Sequence, residues 1–388
     1  MNEAHDDGAA LPRIALLDGV RGVAILLTLV FHSFDTSLSL AIFGERGVDL
    51  FFVLSGFLIT GILIETRDRS DYFKNFIARR AVRILPLYYL FIVIMLVVLP
   101  EVAKLLPDSV ELPQEFHDLQ AGPDGLWTVW VYLQNFVLGR GPHSLPGLGH
   151  LWSLAVEEQF YLFWPVVIWF LPAKQRFRTF VWGVGLTMVL RTTLLWTGIN
   201  GAYGAREYTF NRLDTLLLGA LGALAVRDPE VRRRISPALD KLRRWWLLGP
   251  ILILGLLPNV KVEGLADDFF GRITYGPGLT LIAAVFLVYV LAAAGGTLGP
   301  RLHRFTAWRG NLVLGKYSYS IYLFHYPIAH TMQARTWGRL GMVGSVDLTI
   351  LDSLLSLAVT TAASLVIARI TWVLWEQPWL RLKRRFSY

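Results

Sequence analysis

The 388-residue chain contains no cysteine at all. That absence excludes disulfide bridges, thiol catalysis and cysteine-bound metal sites. Charged residues are also scarce: they make up 17% of the chain, against about 25% in ordinary soluble proteins. Hydrophobic residues make up 54%, and apolar runs of roughly 15–25 residues recur from end to end, most of them long enough to cross a bilayer. These features predict one polytopic membrane domain rather than several soluble domains.

The apolar runs predict an all-α membrane protein, a polytopic bundle of about ten transmembrane helices with both termini cytoplasmic. The predicted spans are approximately 14–34, 47–64, 84–100, 158–172, 179–198, 211–226, 246–260, 273–295, 312–332 and 349–375. Most of the 37 Lys and Arg residues fall in connections that this order places on the side of the N-terminus. Such an excess is typical of the cytoplasmic side of a membrane protein.

We interpret residues 1–388 as a single membrane domain with a polar N-terminal tail (1–13) and a basic cytoplasmic C-terminal tail (376–388). The first 13 residues lack the basic start of a cleaved signal peptide. The net charge of +8 is explained by cytoplasmic loops. No basic segment carries the interleaved aromatic residues of a nucleic-acid surface, so no nucleic-acid partner is predicted.

One connection contains LWTVWVYLQNFVLG (126–139), which is apolar but too short to span a membrane comfortably. An irregular backbone at that depth is tolerated only where it is buried in protein or lines a cavity. We therefore predict an amphipathic or re-entrant segment that forms a wall or lid of an outward-facing site.

The first span carries two ionisable residues, Arg21 and His32, whose burial in a bilayer is energetically unfavourable. Eleven helical steps return to within about 20° of the start, so both side chains share one helix face about 16 Å apart. Ionisable residues inside a membrane usually mark a site or pathway. The structural alternative is that Arg21 pairs with Asp18 and that His32 caps a helix end beside Asp35.

The stretch GHLWSLAVEEQFYLFWP (149–165) places two adjacent acids in an apolar span, near Trp152 and Ser153. On a helix, Glu157 and Glu158 project about 100° apart, which favours two different roles. One acid can orient a base or a hydroxyl group while the other pairs with an arginine. Alternatively, both lie in water at the outer boundary. His150, Ser153 and Glu157 also suggest a hydrolase triad, but residue identity without geometry does not make one.

The stretch FIARRAVRILPLYY (76–89) places Arg79, Arg80 and Arg83 at the predicted cytoplasmic interface. Two interpretations remain open. The three arginines anchor the protein in lipid headgroups, or they form a phosphate clamp, because guanidinium groups bind phosphoryl oxygens with two parallel hydrogen bonds.

Five further polar residues in predicted spans are candidates. Asp49 opens a span and can pair with a buried cation, whereas Arg212 and Asp214 form either a solvated interfacial pair or part of a site. Tyr322 and His325 share a helix face with Ser318, although hydrogen bonds between helices explain such a row equally well. The eight histidines show no metal-binding spacing, so no metal site is predicted.

Seven of these stretches, taken in order, resemble the acyltransferase 3 family of bacterial membrane proteins. They are DGVRGVAILLTLVFH (18–32), GVDLFFVLSGFLI (47–59), FIARRAVRILPLYY (76–89), GHLWSLAVEEQFYLFWP (149–165), RLDTLLLGALGA (212–223), LGKYSYSIYLFHYPI (314–328) and WEQPW (375–379). The resemblance implies an all-helical bundle in the bacterial cytoplasmic (inner) membrane. It also implies that Arg21 and His32 are catalytic, with His32 as the base.

The reaction that the resemblance implies is transfer of an acyl group, often acetyl, from cytoplasmic acyl-coenzyme A to a hydroxyl of a carbohydrate or small molecule. Acyl-coenzyme A would be a co-substrate, and no permanently bound cofactor is expected. Many relatives carry a C-terminal extracytoplasmic domain. Because this chain ends at Tyr388, we expect a stand-alone form.

We combine these residues in one hypothesis. The arginines of 79–83 hold the donor phosphates, Arg21 lies deeper towards the thioester, and His32 takes the proton of the acceptor hydroxyl. Asp35, Glu157 or Glu158 fixes the histidine tautomer. Candidates for oxyanion stabilisation are Ser153, Tyr322 and Arg212. The rival interpretations are a transporter or exporter without chemistry of its own and a scaffold for envelope assembly.

Overall fold

The computed structural model describes residues 15–34, 43–105, 114–141, 144–245, 269–339 and 350–386. Within these ranges the chain is helical and contains no β-strand, which confirms the predicted all-α class. The long helices are α1 (Ala15–Ser33), α2 (Gly47–Thr66), α3 (Tyr72–Val93), α4 (Trp152–Phe170), α5 (Ala173–Trp196), α6 (Leu213–Arg227), α7 (Pro229–Trp245), α8 (Leu279–Ala294), α9 (Ser318–Arg339) and α10 (Ile350–Thr371).

Shorter elements connect and extend these helices. Short α-helices cover Leu99–Ala103, Gln114–Gln120, Gln134–Leu138, Ala202–Glu207, Phe269–Ile273, Pro300–Thr306, Arg309–Lys316 and Gln377–Leu382. Turns of 3-10 helix cover Leu126–Val131, Gly149–Leu151, Thr209–Asn211 and Lys383–Arg385, and π-helical turns cover Ile94–Val98, Thr274–Gly278 and Trp372–Glu376.

Six of the described helical segments are long and apolar enough to cross a membrane. They are Leu16–Ser33, Gly47–Thr66, Tyr72–Ala103, Ala173–Trp196, Phe269–Ala294 and Ile350–Arg385. This number indicates a multi-pass membrane protein. The predicted span 246–260 lies outside the described residues, and the cytoplasmic position of both termini stays a prediction.

Two helices begin earlier than hydropathy predicted. α3 begins at Tyr72 instead of residue 84, and α4 begins at Trp152 instead of residue 158. The expected boundaries were wrong because hydropathy marks only the apolar run, whereas the helices extend beyond it through charged residues that are exposed or half-buried. The arginines of 79–83 and the two glutamates of 157–158 therefore lie inside helices.

Helices α2 and α6 touch backbone to backbone. A Cβ atom at Gly56 would lie 2.0 Å from the Leu216 carbonyl oxygen, and one at Gly219 would lie 2.1 Å from the Val53 carbonyl oxygen. Neither position has room for any other side chain. Gly56 therefore permits this close approach, and the contact fixes the position of the neighbouring Ser55.

The segment predicted to be amphipathic or re-entrant contains a 3-10 turn and a short helix. Its backbone is tied to two long helices: Tyr88 of α3 donates to the Val129 carbonyl (2.7 Å), and Gln159 of α4 donates to the Tyr132 carbonyl (2.7 Å). Tyr132 itself has a left-handed backbone with φ of 56°. These bonds satisfy carbonyl groups of an irregular backbone that is packed against protein. Its role as a wall or lid stays a prediction.

Candidate active site

A cavity of about 120 Å³ lies among α1, α2, α3, α4 and α9. Its charged lining consists of Arg21 from α1, Arg80 and Arg83 from α3, and Glu157 and Glu158 from α4. All five are residues that the sequence singled out as candidates. The fold places them around one space although they come from three separate stretches of the chain.

The three arginines of α3 do not act as one group. Arg80 and Arg83 share a helix face by their i, i+3 spacing, and both line the cavity. Arg79 is not part of the lining and instead donates to the Phe386 carbonyl oxygen (2.6 Å) near the end of the described chain. The predicted clamp is therefore reduced to two arginines.

Arg80 and Arg83 lack a directly bonded carboxylate among the residues that the structure describes, although Glu157 and Glu158 line the same cavity. Within the part of the chain that the structure describes, neither forms an ion pair with a carboxylate. The Arg80 guanidinium lies 5.5 Å from the centre of the Tyr161 ring and 5.8 Å from that of Phe76. An anion that enters the cavity can bind these arginines without displacing a protein carboxylate.

Arg21 forms the predicted pair with Asp18 and also faces the cavity. Its Nη1 atom lies 2.7 Å from Asp18 Oδ1, the predicted i, i+3 pair. Arg21 nevertheless lines the cavity and keeps 23% of its side-chain surface exposed. The pair therefore holds the guanidinium at the cavity wall without burying it.

The two glutamates lie on the cavity wall, although they are neighbours in a helix. Neither forms an ion pair with another described residue. Glu157 lies within reach of a hydroxyl pair in which Ser55 Oγ is 2.5 Å from Tyr161 OH. Both carboxylates are half-buried and face the cavity, and their position relative to the membrane boundary stays a prediction.

His32 belongs to a second group, which we call the histidine cluster: His32, His150, His325, His330 and Tyr326. The His32 ring centre lies 5.1 Å from that of His325 and 5.0 Å from that of Tyr326. His150 stacks on Tyr326 (4.8 Å), and Tyr326 contacts His330 (4.1 Å). Side chains from α1, from the turn before α4 and from α9 thus form one cluster.

Backbone carbonyls fix the tautomers of two rings in the histidine cluster. His150 Nε2 lies 3.0 Å from the Leu323 carbonyl, and His325 Nδ1 lies 2.7 Å from the Tyr322 carbonyl. Because a carbonyl only accepts, each of these nitrogens carries the hydrogen. The opposite nitrogens, His150 Nδ1 and His325 Nε2, are buried and make no hydrogen bond to the described residues. No group among the described residues has the arrangement of a metal site.

Tyr322 connects the cavity with the histidine cluster. It lines the cavity, and its ring centre lies 5.4 Å from that of His325 and 5.7 Å from that of His150. Its hydroxyl lies 2.6 Å from Ser153 Oγ and donates to the His150 carbonyl (2.9 Å). Ser153 also lines the cavity.

The shared helix face of Arg21 and His32 does not give them a shared cavity. Arg21 lines the cavity, whereas His32 is absent from its lining and packs in the histidine cluster. Helical spacing fixes the angle between two side chains, but neighbouring helices decide what each of them faces. Asp35, the predicted partner of His32, lies outside the described residues.

Asp49 and Arg212 belong to a buried arginine–carboxylate network: Glu45, Arg46, Asp49, Arg206, Glu207 and Arg212. Arg212 donates a hydrogen bond to Asp49. Asp49 also accepts a hydrogen bond from Arg46 Nη1 (3.3 Å). Arg206 bridges Glu45 (2.9 Å) and Glu207 (2.5 Å). Within the network, three arginines balance three carboxylates.

Asp214 pairs with Arg191 rather than with Arg212. Arg191 Nη1 and Nη2 each lie 2.9 Å from one oxygen of Asp214, and both side chains are 0% exposed. The alternative of a solvated Arg212–Asp214 pair is therefore wrong, because each residue is buried and pairs with a different partner. Neither residue lines the cavity.

Two network glutamates, Glu45 and Glu207, lie outside the long helices. Burial raises their pKa values, whereas the neighbouring arginines lower them. Burial alone would raise the pKa of Glu45, but Arg46 and Arg206 outweigh it and hold the pKa below its usual range. Glu207 has less compensation: burial raises its pKa to about 7, against the opposing effect of Arg206.

The sequence reasoning missed four network members, Glu45, Arg46, Arg206 and Glu207. Their signal was weak because they lie in polar connections, where charges are ordinary. Arg191 carried a usable signal, since a cation inside an apolar span needs a partner. Trp152, a candidate, lies 5.9 Å from the Arg206 guanidinium and does not line the cavity.

Comparison with known proteins agrees with the ordered motifs. Residues 14–369 match the family described as the acyltransferase domain. A protein of Staphylococcus aureus (strain COL), provisionally named an O-acetyltransferase, is 31% identical over 329 residues, which cover 80% of this chain and 50% of that protein. The O-acetyltransferase OatA of S. aureus (strain NCTC 8325) is 29% identical over 331 residues, with the same two coverages.

The chain spans about half the length of the curated relatives it matches. No solved structure gives a significant match. The family match covers all but the two ends of the chain and includes the cavity, the histidine cluster and the buried network. The chain therefore belongs to the acyltransferase 3 family.

Proposed function

We propose that this chain is a membrane O-acyltransferase that moves an acyl group from acyl-coenzyme A to a hydroxyl group. The observation that carries the proposal is the cavity in which Arg80 and Arg83 form no ion pair with a described carboxylate, together with the histidine cluster that Tyr322 connects to it. The printed names of the relatives describe O-acetyl transfer, which makes acetyl the acyl group to test first.

The two arginines suit the anionic part of the donor. Coenzyme A carries phosphate groups, and guanidinium groups form strong, charge-assisted hydrogen bonds with phosphoryl oxygens. Arg80 and Arg83 lie on one face of α3, so one phosphorylated ligand can reach both. The predicted topology puts this part of α3 towards the cytoplasm, where acyl-coenzyme A is available.

In the proposed reaction, a nitrogen of His32 takes the proton of the acceptor hydroxyl as its oxygen attacks the thioester carbonyl carbon. A carbon–oxygen bond forms and the carbon–sulfur bond breaks. Coenzyme A leaves as a thiolate and takes up a proton, so the products are an ester and free coenzyme A. The neighbouring rings of His325 and Tyr326 restrict the orientation of His32.

The acceptor is proposed to be a hydroxyl of a carbohydrate, such as a surface polysaccharide or lipid-linked glycan, or of a small molecule. We propose the bacterial cytoplasmic membrane as the location. The alternative function is transport or export of such a substrate without chemistry. It predicts accumulation of substrate without release of a thiol.

The test measures coenzyme A release and ester formation in proteoliposomes supplied with acetyl-coenzyme A and candidate glycans. His32→Ala is expected to lower transfer at least about 100-fold, the lower range for loss of a general base. His303→Ala, which replaces an exposed histidine, is the matched control and should retain wild-type transfer. Transfer near the wild-type rate by folded His32→Ala protein would contradict the mechanism, and accumulation without thiol release would favour the transporter.

A further inference from the structure

The cavity and the histidine cluster meet at one side chain, Tyr322. On the cavity side its ring centre lies 6.3 Å from that of Phe51, a lining residue. The same ring contacts His150 and His325, which do not line the cavity. Only 6% of Tyr322 is exposed, so it fills the space between the two groups.

Two hydrogen bonds hold this tyrosine in place. Its hydroxyl donates to the His150 carbonyl (2.9 Å) and accepts from Ser153 Oγ (2.6 Å). Without Tyr322, Ser153 would keep only a long bond of 3.4 Å to the same carbonyl. The bonds therefore join α9 to the first turn of α4 and to the turn that precedes it.

This arrangement raises a geometric problem for acyl transfer. A thioester in the cavity would lie beside Arg21 and Glu157, yet His32 is not part of the cavity wall. The shortest chain of ring contacts from the cavity to His32 runs through Tyr322 and His325. Donor and base stay apart as long as Tyr322 keeps its position.

We propose that Tyr322, held by Ser153, is a barrier that separates the donor cavity from the histidine cluster and swings aside when the acyl group is transferred. The barrier keeps water and solutes from the far side of the membrane out of the donor cavity. Its use in acyl transfer rests on the proposed function, but its existence can be tested without any reaction.

The absence of cysteine from the chain provides the probe. Ser318 lines the cavity, and Ser318→Cys exchanges one small side chain for another of similar size. We would place this substitution in the otherwise unchanged, cysteine-free protein in sealed vesicles of known orientation. A membrane-impermeant thiol reagent is then added to one face or the other, and labelling is followed by mass spectrometry.

With Tyr322 in place, labelling from one face only is expected. Removing the ring with Tyr322→Ala should open the passage and permit labelling from both faces. Tyr322→Phe keeps the ring and loses both hydrogen bonds, so far-face labelling should rise by about fivefold or more, the usual effect of one lost buried hydrogen bond on an equilibrium. Ser153→Ala removes one of the two bonds and should give a smaller rise.

The matched control is Tyr319→Phe. Tyr319 lines the same cavity, but its hydroxyl donates to the Ile84 carbonyl (2.9 Å) and takes no part in the bonds of Tyr322. It should leave the one-sided labelling of Ser318→Cys unchanged. Labelling from both faces in the presence of Tyr322 would overturn the proposal. So would one-sided labelling in folded Tyr322→Ala and Tyr322→Phe proteins.

A second measurement connects the barrier to the chemistry. In the absence of an acceptor, Tyr322→Phe is expected to hydrolyse acetyl-coenzyme A faster relative to its rate of transfer than the wild type does, because water reaches the donor. Tyr289→Phe, which alters a hydroxyl that bonds to Thr306 outside the cavity lining, should not change this ratio. If acyl transfer itself is never observed, the labelling result still decides the barrier, so the two proposals fail separately.

Discussion

The cavity and the buried network handle charge in opposite ways. In the network, three arginines meet three carboxylates and each arginine contacts a carboxylate directly. Around the cavity, Arg80 and Arg83 have no such partner among the described residues. Buried charges that form ion pairs hold helices together, whereas charges without such a partner at a cavity are available to a ligand. The same residue type thus has two roles in one bundle.

The strongest test of this difference uses the most buried ion pair. Asp214→Asn would leave Arg191 buried and without its counter-ion, which typically costs about 3–5 kcal/mol of stability. We expect a large loss in the free energy of unfolding in detergent, together with loss of activity in proportion to the unfolded fraction. Asp18→Asn is the control, because it breaks a partly exposed pair and should destabilise the protein far less. Equal losses in both variants would contradict the structural role of the fully buried Arg191–Asp214 pair.

At the cavity, we expect weaker binding of the donor with little loss of stability. Arg83→Gln and Arg80→Gln should raise the KM for acyl-coenzyme A by about 10- to 100-fold, the effect of losing one charge-assisted hydrogen bond, with little change in thermal stability. Arg79→Gln is the matched control on the same helix, because Arg79 bonds to the Phe386 carbonyl and does not line the cavity. An equal rise in KM for all three variants would indicate a general surface charge effect instead of a clamp.

The smallest expected effect concerns Glu207, the network carboxylate whose burial is least offset by neighbouring arginines. Burial raises the pKa of Glu207 to about 7 from the ordinary value of 4.5. The folded state therefore binds a proton in a pH range where the unfolded state has lost it. The contribution of Glu207 to stability falls as the pH rises from about 4.5 to about 7.

Glu207→Gln should remove this part of the pH dependence while keeping an oxygen that accepts from Arg206. Melting temperatures of the wild type and variant across that pH range provide the measurement. Glu230→Gln, a substitution of an exposed glutamate on α7, is the control. An identical pH slope in wild-type and Glu207→Gln protein would show that Glu207 does not titrate in this window.

The sequence was informative where a helix alone decides the geometry. Arg80 and Arg83 share a face because of their spacing, and hydropathy was sufficient to predict an all-α bundle. Prediction from the sequence failed where the contacting side chains come from distant segments of the chain. Asp214 lies next to Arg212 in the sequence yet pairs with Arg191, and no local pattern indicates that choice. His32 shares a face with Arg21 but lies among residues more than 100 positions away.

The glycine contact between α2 and α6 determines where the cavity can deform. Because the two backbones touch at Gly56 and Gly219, the wall that α2 provides is stiff. The wall formed by α4 and α9 is held by side-chain bonds such as that between Ser153 and Tyr322, and rotation of a single side chain breaks them. The enclosure therefore has one rigid side and one compliant side, and a bulky ligand would be accommodated by displacement of the compliant side alone.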